Sequence, residues 1–598
     1  MQTRCSVYCV MIVLTLLWGS SPITAAHILN PVANAPPTHA TDANHDRDTS
    51  VPLKTALDAD AMTRSPRVNP TLDGSNGFAL VGIDAQDYSG KSVSGAGDFN
   101  GDGLDDLIIG AYRADLNDRG SAGESYVVLG SSGGFPASLS LSDLDGNNGF
   151  VLNGIDVSDF SGYAVSGAGD VNGDGFDDLI IGANYADPNA QDMAGEIYVV
   201  LGRGGVFSAS LNLSDLDGSN GFVLNGVAAD DQAGYAVSGA GDINGDGLDD
   251  VGIGAPYADL GGNNNAGQGY VVFGSSEAFP ASLNLSDLDG SNGFALNGVG
   301  AFEHAGIAVS GAGDINGDGF DDLIIGADGA SVNGNAGASY VVLGSSGGFT
   351  ASLNLGTLNG SNGFVINGVI AQGEAGHAVS GAGDVNGDGL DDLIIGAPDA
   401  ERDGKDGVGE GYVVLGSSEA FPASLSLGDL DGDNGFALRG IDAFDHAGIA
   451  VSGAGDVNGD GLNDLIMGAH GADPNARGSA GESYVVLGSS GGFPANLSMS
   501  DLNGSNGFVL NGVNARDYSG NSVSGVGDIN GDGFDDVIVG ASSAGAMFEV
   551  GEGYGESYVV FGGAGATTLT ASPDDLIRFV PNPDFTGTAA ISFRAWDT

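Results

Sequence analysis

The 598-residue sequence predicts an all-β fold, a seven-bladed β-propeller, from three observations. A nine-residue acidic segment occurs seven times, first at residues 98–106 and then from Asp170, Asp242, Asp314, Asp384, Asp456 and Asp528. The starts lie 72, 72, 72, 70, 72 and 72 residues apart, which indicates one repeated supersecondary unit. Each segment runs into Asp-Leu-Ile-Ile-Gly-Ala or a close variant, a short apolar run that is typical of a buried strand.

Each repeat contains four predicted strands. In the first repeat they are Ser92–Gly97 and residues 107–111, 124–130 and 150–154. Four antiparallel strands in each of seven repeats favour a propeller, because radial stacking buries both faces of every sheet and removes open edges. The alternative is an open solenoid, which would need polar capping repeats that neither end of the array contains.

The last strand of each repeat has the pattern Gly-Phe-x-x-x-Gly, which begins at Gly77, Gly149, Gly221, Gly293, Gly363, Gly435 and Gly507. The copy at Gly77 precedes the first acidic segment, and nothing equivalent follows Phe561. We therefore predict that residues 78–81 complete the seventh blade and close the ring by joining the two ends of the repeat array.

The acidic segments have the composition of calcium loops. Side-chain oxygens at positions 1, 3, 5 and 9 and the carbonyl at position 7 can supply the six to eight oxygens that calcium prefers. Magnesium demands tighter geometry, and no Cys or His lies within a loop to favour a transition metal. The alternative is a set of Asp/Asn/Gly turns without an ion, but the same polar spacing in all seven copies argues against it. About seven calcium ions are therefore expected, one per repeat.

The predicted ligands, in groups of five for each loop, are Asp98, Asn100, Asp102, Leu104, Asp106; Asp170, Asn172, Asp174, Phe176, Asp178; Asp242, Asn244, Asp246, Leu248, Asp250; Asp314, Asn316, Asp318, Phe320, Asp322; Asp384, Asn386, Asp388, Leu390, Asp392; Asp456, Asn458, Asp460, Leu462, Asp464; and Asp528, Asn530, Asp532, Phe534, Asp536. An EF-hand begins with the same spacing but needs a bidentate Glu at position 12. That position holds Ile109, Ile181, Ile253, Ile325, Ile395, Met467 or Val539, which argues against a helix-loop-helix calcium sensor.

Beyond the loops, the repeats resemble a known family. Tyr88-Ser-Gly90, the strand Ser92–Gly97, the acidic loop and Leu107-Ile-Ile-Gly-Ala111 are similar to the FG-GAP repeat of integrin α-subunit propellers and their secreted bacterial relatives. The likeness covers about residues 72–563. The sequence departs from the family pattern at two places. It has Ser-Gly or Ala-Gly where the family has Phe-Gly, and Gly-Ala-Pro occurs only at Pro256 and Pro398. The resemblance implies calcium-stiffened blades and a recognition role at a surface, without implying pairing with an integrin β-subunit.

Charge limits the possible partners. The formal net charge is -62, and a field of this sign repels nucleic acid and anionic membranes. Seven calcium ions would add 14 positive charges, and -62 + 14 leaves -48. We therefore expect no nucleic acid partner and no insertion in a membrane, and we expect basic or calcium-bridged partners instead.

The ends of the chain differ from the repeats. Residues 1–26 have the pattern of a signal peptide, with an apolar core from Val7 to Trp18, and a retained membrane anchor is the alternative. Residues 27–70 are predicted to be a flexible linker and residues 71–563 the propeller. Residues 564–598 resemble part of a cadherin-like or immunoglobulin-like β-module, which suggests a truncated, longer surface protein. These features predict a secreted or cell-surface location.

The loops that alternate with the acidic segments vary most between copies, and they are the expected ligand face: residues 112–123, 184–195, 398–409 and 470–481, with Arg113, Tyr185, Arg402 and Arg477. Asn212, Asn284 and Asn496 begin Asn-Leu-Ser, a glycosylation acceptor in a host that modifies such sites, which would make the protein a glycoprotein. We expect a monomer, or part of a longer surface protein, that recognises an extracellular protein or glycan in cell adhesion.

Catalytic patterns are weak, and we predict that the protein is not an enzyme. Residues 130–134 match Gly-x-Ser-x-Gly, but related segments recur at Gly274, Gly344, Gly416 and Gly488, which indicates a turn. His304 and His446 occupy equivalent loop positions, with Glu303 and Asp445 beside them, and His377 comes slightly later in its own copy. They are interpreted as ordinary loop residues, and the alternatives are ligands of a transition metal or acid/base groups. The alternatives are an accessory propeller of a secreted hydrolase and a passive structural protein of the cell envelope.

Overall fold

The computed structural model describes residues 72–115, 119–545 and 553–563, which form a closed ring of seven β-sheets. The predicted all-β, seven-bladed propeller is therefore confirmed. The predicted signal peptide, linker and C-terminal β-module lie outside the described residues. Within the described ranges, no helix has the length and apolar character needed to cross a membrane.

Each blade has four main strands, named here from the ring axis outward. The inner strands are Ser92–Gly97, Ala164–Gly169, Ala236–Gly241, Val309–Gly313, Ala378–Gly383, Ala450–Gly455 and Ser522–Gly527. The second strands are Asp106–Ala111, Asp178–Ala183, Asp250–Ala255, Asp322–Ala327, Asp392–Ala397, Asp464–Ala469 and Asp536–Ala541. The third strands are Glu124–Val128, Glu196–Val200, Gln268–Val272, Ala338–Val342, Glu410–Val414, Glu482–Val486 and Glu556–Val560. The outer strands are Gly149–Asn153, Gly221–Asn225, Gly293–Asn297, Gly363–Asn367, Gly435–Arg439, Gly507–Asn511 and Gly77–Val81.

The seventh blade joins the two ends of the repeat array. Its outer strand, Gly77–Val81, pairs antiparallel with its third strand, Glu556–Val560. Gly77 lies opposite Val560, and Val81 lies opposite Glu556. The predicted closure of the ring by residues 78–81 is confirmed.

Six blades carry a short fifth strand that the sequence did not predict. These strands are Ser138–Ser140, Ser210–Asn212, Ser282–Asn284, Ser352–Asn354, Ser424–Ser426 and Asn496–Ser498. Each comes from the following repeat and pairs parallel with an outer strand, as Ser210–Asn212 does with Gly149–Asn153. A phenylalanine just before the short strand stacks on the outer-strand phenylalanine, with Phe207 and Phe150 ring centroids 4.8 Å apart. The extra strand therefore fastens each repeat to the blade before it.

Short 3-10 helices complete the regular structure. They are Leu141–Asp143, Pro188–Ala190, Leu213–Asp215, Leu285–Asp287, Leu355–Thr357, Leu427–Asp429, Pro474–Ala476 and Met499–Asp501. Six of them directly follow a short fifth strand, and each of those six buries its first residue, as Leu141 illustrates. The other two lie between the second and third strands of the second and sixth blades.

The hydrophobic core is divided among the seven blade interfaces. Between the first two blades, Ile108 and Phe150 pack in one cluster with Ile181 and Tyr198. Six further clusters occupy the remaining interfaces, including the one between the seventh and first blades. Every residue of each second strand is buried, because neighbouring sheets cover both faces. A fully buried side chain of this size contributes roughly 1.5–3 kcal/mol, so the interfaces hold the ring together.

The connections divide between two rims. The acidic loops join inner to second strands at one rim, here called the acidic rim. The connections from second to third strand and from outer to inner strand lie at the other, here called the mouth rim. These mouth-rim connections contact each other, since the backbone N–H of Ser158 donates to Gly120 O at 3.0 Å. The described residues of the four predicted ligand-face loops belong to the mouth rim.

Candidate functional site

Each acidic loop folds around its own carboxylates, as the first loop illustrates. The carboxylate of Asp98 accepts hydrogen bonds from the backbone N–H groups of Asp102 and Gly103, both at 2.9 Å. The amide of Asn100 lies 3.2 Å from both carboxylate oxygens of Asp106. These bonds hold the side chains at positions 1, 3 and 9 within one loop.

The position-9 carboxylate is the most deeply buried group of each loop. Its residue is 0% exposed in all seven copies, which are Asp106, Asp178, Asp250, Asp322, Asp392, Asp464 and Asp536. It accepts a hydrogen bond from the backbone N–H of the residue two places after the third strand, as from Gly130 to Asp106 at 2.7 Å. Burial raises the pKa of Asp106 to about 7, and repulsion from Asp102 and Asp98 adds to the rise. The same cause raises the pKa of Asp250 to about 8.

The donor set fits a hard divalent cation. Within the described residues, no lysine, arginine or histidine forms an ion pair with a loop carboxylate, so the buried negative charge lacks a protein counter-charge. A buried charge is costly unless it is paired or coordinates a metal. In the second loop the buried amide nitrogen of Asn172 has no hydrogen-bond partner, and a 180° amide rotation would present its oxygen instead. Carboxylate, amide and carbonyl oxygens are the ligands calcium prefers.

The residue at position 8 has a role that the sequence analysis missed. Its side chain accepts a hydrogen bond from the backbone N–H of position 1 in the preceding blade, as Asp177 Oδ2 does from Asp98 at 2.7 Å. The seven donor and acceptor pairs are Asp98 with Asp177, Asp170 with Asp249, Asp242 with Asp321, Asp314 with Asp391, Asp384 with Asn463, Asp456 with Asp535, and Asp528 with Asp105. These bonds link each acidic loop to the next around the complete ring.

A glycine before each loop makes this link possible. Gly97 has φ +61°, and a Cβ there would lie 2.2 Å from Asp177 Oδ2. Its inner strand also contains a bulge between Gly95 and Gly97 where it pairs with the second strand. A side chain at this position would collide with the carboxylate of Asp177 and break the link. The left-handed backbone conformation at Gly97 also disfavours every residue except glycine.

The mouth rim carries an arc of aromatic side chains. Neighbouring rings lie 4.8 to 5.8 Å apart between centroids, and the members of this aromatic arc are Tyr88, Tyr112, Phe160, Tyr163, Tyr185, Tyr235 and Tyr257. The guanidinium of Arg113 lies 5.3 Å from the Tyr88 ring centroid and 5.4 Å from that of Tyr112. Arg113 and Tyr185, which the sequence predicted for the ligand face, are thus brought to the same arc.

The other side of the mouth rim carries histidines and acids. His304 Nδ1 lies 3.1 Å from one carboxylate oxygen of Asp328, and His377 Nδ1 lies 3.2 Å from the other. His446 Nδ1 lies 3.0 Å from Asp399 Oδ1. The sequence places Glu303 and Asp445 beside His304 and His446. It does not indicate the partners Asp328 and Asp399, because they lie 24 to 49 residues away in the chain.

The segment that matched Gly-x-Ser-x-Gly is a turn, as predicted. The backbone N–H of Gly134 donates to Ser131 O at 3.2 Å. The N–H of Ser131 donates to Ile529 O of the seventh blade at 2.8 Å, so this segment connects two blades at the acidic rim.

Comparisons with known proteins agree with the repeat structure. The FG-GAP repeat family model matches residues 89–128, 161–200, 233–272, 305–342, 375–414, 447–486 and 519–560. Integrin alpha pat-2 of Caenorhabditis elegans is 31% identical over 40% of this chain and 18% of its own length. Integrin alpha-PS2 of Drosophila melanogaster is 28% identical over 41% of this chain and 16% of its own. Integrin alpha-IIb of Mus musculus is 31% identical over 30% of this chain and 16% of its own.

The chain thus spans less than a fifth of the length of these three relatives. The crystal structure of the V. cholerae biofilm matrix protein Bap1 aligns with 81% of this chain and 88% of its own. The two share 13% identity and a TM-score of 0.22, a similarity too low to support any conclusion about fold or function.

Proposed function

We propose that this chain is a calcium-binding extracellular recognition module for cell adhesion. The proposal starts from its FG-GAP repeats, which resemble those of the integrin α propeller. The single observation that carries the calcium part is the buried position-9 carboxylate. Each loop contains three carboxylates and an amide at positions 1, 3, 5 and 9, and among the described residues no cationic side chain pairs with them. Positions 1, 3, 5, 7 and 9 of every loop would hold one ion.

Calcium would act here as a structural cross-link. It would offset the burial and the smaller repulsion that raise the pKa of Asp106 at position 9, and so stabilise the loop that links two blades. Extracellular calcium modules have dissociation constants on the order of 10⁻⁴ to 10⁻³ M, so occupancy would depend on calcium outside the cell. Both cysteines, Cys5 and Cys9, lie in the predicted signal peptide, so the propeller contains none and calcium would take the place of disulfides.

The mouth rim is the proposed ligand face. Its aromatic arc offers ring faces for stacking on a sugar or an apolar side chain, and Arg113 is exposed beside it. The remaining surface is strongly acidic, which favours a neutral or basic partner. An extracellular protein or a glycan fits these requirements, and the protein would act as a binder without catalysis.

Binding of the full chain to a glycan array and to immobilised extracellular proteins, in millimolar calcium, tests this proposal. Tyr112→Ala and Arg113→Ala should each weaken the binding that is found, whereas Glu277→Gln on the acidic rim should leave it unchanged. Equal loss for Glu277→Gln would place the ligand elsewhere. Absence of any ligand, with turnover of a glycoside or ester substrate, would instead favour the hydrolase alternative.

A further inference from the structure

All four histidines of the described residues lie at the mouth rim. His304, His377 and His446 belong to the connections from outer to inner strand, and His470 follows a second strand. The rings of His446 and His470 stack with centroids 5.5 Å apart, and His304 lies against Tyr257 at 5.8 Å. The chain has only seven histidines, so this grouping is unusual for loops that vary freely.

Three side chains of this group have the arrangement of a metal site. One ligand atom each from Asp328, Glu374 and His377 lies within 4.8 Å of the other two. Asp328 follows the second strand of the fourth blade, while Glu374 and His377 lead into the inner strand of the fifth. His304 contacts the remaining oxygen of Asp328, so two histidines hold this carboxylate between them.

Among the described residues, this combination occurs at one blade interface alone. Positions equivalent to Asp328 hold Tyr112, Asn184, Pro256, Pro398, His470 and Ser542 in the other repeats. Positions equivalent to Glu374 hold Tyr88, Phe160, Gln232, His304, His446 and Tyr518. Positions equivalent to His377 hold Lys91, Tyr163, Tyr235, Ile307, Ile449 and Asn521. The repeat unit itself therefore does not require the three residues, and their meeting is a property of this interface.

The ligand atoms of this group favour a different metal from the one that the acidic loops favour. An imidazole with two carboxylates suits zinc and related transition metals, whereas calcium prefers oxygen ligands. Ligand bonds of about 2.0–2.2 Å in tetrahedral geometry place ligand atoms about 3.4 Å apart, so the side chains would need to close by at most about 1.4 Å from the 4.8 Å limit. Asp328 has 14% of its side chain exposed and His377 has 32%, so the group is sheltered yet reachable from solvent.

We propose that Asp328, Glu374 and His377 form a binding site for one transition-metal cation of the zinc type at the mouth rim. His304 is a positioning residue, because its ring holds the carboxylate oxygen of Asp328 that faces away from His377. Three protein ligands leave a fourth position open towards the mouth, where water or a ligand of the propeller would complete the coordination. The site is independent of the calcium loops, which lie at the opposite rim.

Zinc titration of the full chain tests this proposal. The protein would be stripped with chelator, reloaded with millimolar calcium and titrated with zinc against a chromogenic chelator. The unchanged chain should bind at least one zinc ion, and Glu374→Gln and His377→Ala should each remove one ion from the measured stoichiometry. His304→Ala should weaken the same site about 10- to 100-fold without abolishing it, as outer contacts of metal ligands do.

Control measurements separate this site from other histidines. His446→Ala removes a mouth-rim histidine that also contacts a carboxylate but lies outside the three-ligand group, and it should leave the zinc stoichiometry unchanged. Circular dichroism of each variant in calcium should match the unchanged chain. Zinc binding that is equal in all variants, or lost equally in His446→Ala, would overturn the assignment. Absence of zinc binding in a folded, calcium-loaded chain would show that the group is an ion-pair cluster only.

Discussion

The hydrogen bond that links one acidic loop to the next offers a sharp test of how the ring is held together. In the second and third blades, Asp170 donates its backbone N–H to Asp249 Oδ2 at 2.8 Å. Burial raises the pKa of Asp249, and repulsion from Asp177 and Asp321 adds to the rise, although the hydrogen bond opposes it. The hydrogen bond of Asp249 therefore stabilises the folded chain, whereas the buried negative charge of its carboxylate destabilises it.

These two effects can be separated by substitution. A hydrogen bond to a charged group contributes about 1.5–3 kcal/mol, so Asp249→Ala should lower the free energy of unfolding by about that amount. Asp249→Asn keeps an acceptor and removes the charge, and should cost less than about 1 kcal/mol. The sixth blade provides a natural precedent, because Asn463 accepts the same bond from Asp384 at 3.1 Å.

Guanidinium unfolding in saturating calcium would measure both variants, and hydrogen exchange would report on the Asp170 amide. Faster exchange at Asp170 is expected for Asp249→Ala and near-normal exchange for Asp249→Asn. If the two variants are equally destabilised, the charge of Asp249 is essential and the hydrogen-bond explanation is wrong. Unchanged stability and unchanged exchange in Asp249→Ala would show that the link contributes nothing.

Four further predictions concern the metal loops and the core. Chelation should lower the melting temperature and increase cleavage by protease, because an ion that binds only the folded chain stabilises it by mass action; an unchanged melting curve would contradict this. Asp246→Ala should reduce the calcium stoichiometry by one ion without unfolding the ring, as metal analysis and circular dichroism would show; loss of all ions would contradict independent loops. In chelator, the folded chain binds protons more tightly than the unfolded chain at carboxylates such as Asp250, because folding raises the pKa of Asp250 to about 8. This contribution to the free energy of unfolding is complete below about pH 4 and is lost as the pH rises through 8. In chelator, the melting temperature should be lower at pH 8 than at pH 5, and calcium should suppress this difference. A higher melting temperature at pH 8 would contradict the raised pKa of these carboxylates. Phe222→Ala removes a buried ring stacked on Phe279, and it should lower the free energy of unfolding, measured with denaturant, by about 3–5 kcal/mol. The control Val206→Ala changes an exposed side chain and should lower it by less than about 0.5 kcal/mol.

The main strands and the closure of the ring were predictable because they depend on local patterns. The apolar run after each acidic loop identifies a buried strand, and the displaced copy at Gly77 shows where the ring must close. The short fifth strands were missed because three residues carry no alternation of their own. Their pairing with the preceding blade, as between Ser210 and Val151, depends on a contact 59 residues away in the chain.

Similar reasons explain what was missed at the site. Position 8 carries Asp or Asn in all seven loops, and this recurrence could have indicated a shared role. The acceptor and its donor, however, belong to different blades, as with Asp98 and Asp177. The group of Asp328, Glu374 and His377 has no repeat-wide pattern at all, because it depends on residues that differ from one copy to the next and meet at one interface.

Calcium content per chain is the most direct test of the proposed function. Native mass spectrometry of the full chain in millimolar calcium should find seven ions, with six in Asp246→Ala and none after exhaustive chelation. A folded chain that retains no calcium under these conditions would show that the acidic loops are turns without ions, and that their buried carboxylates are neutralised by protons instead.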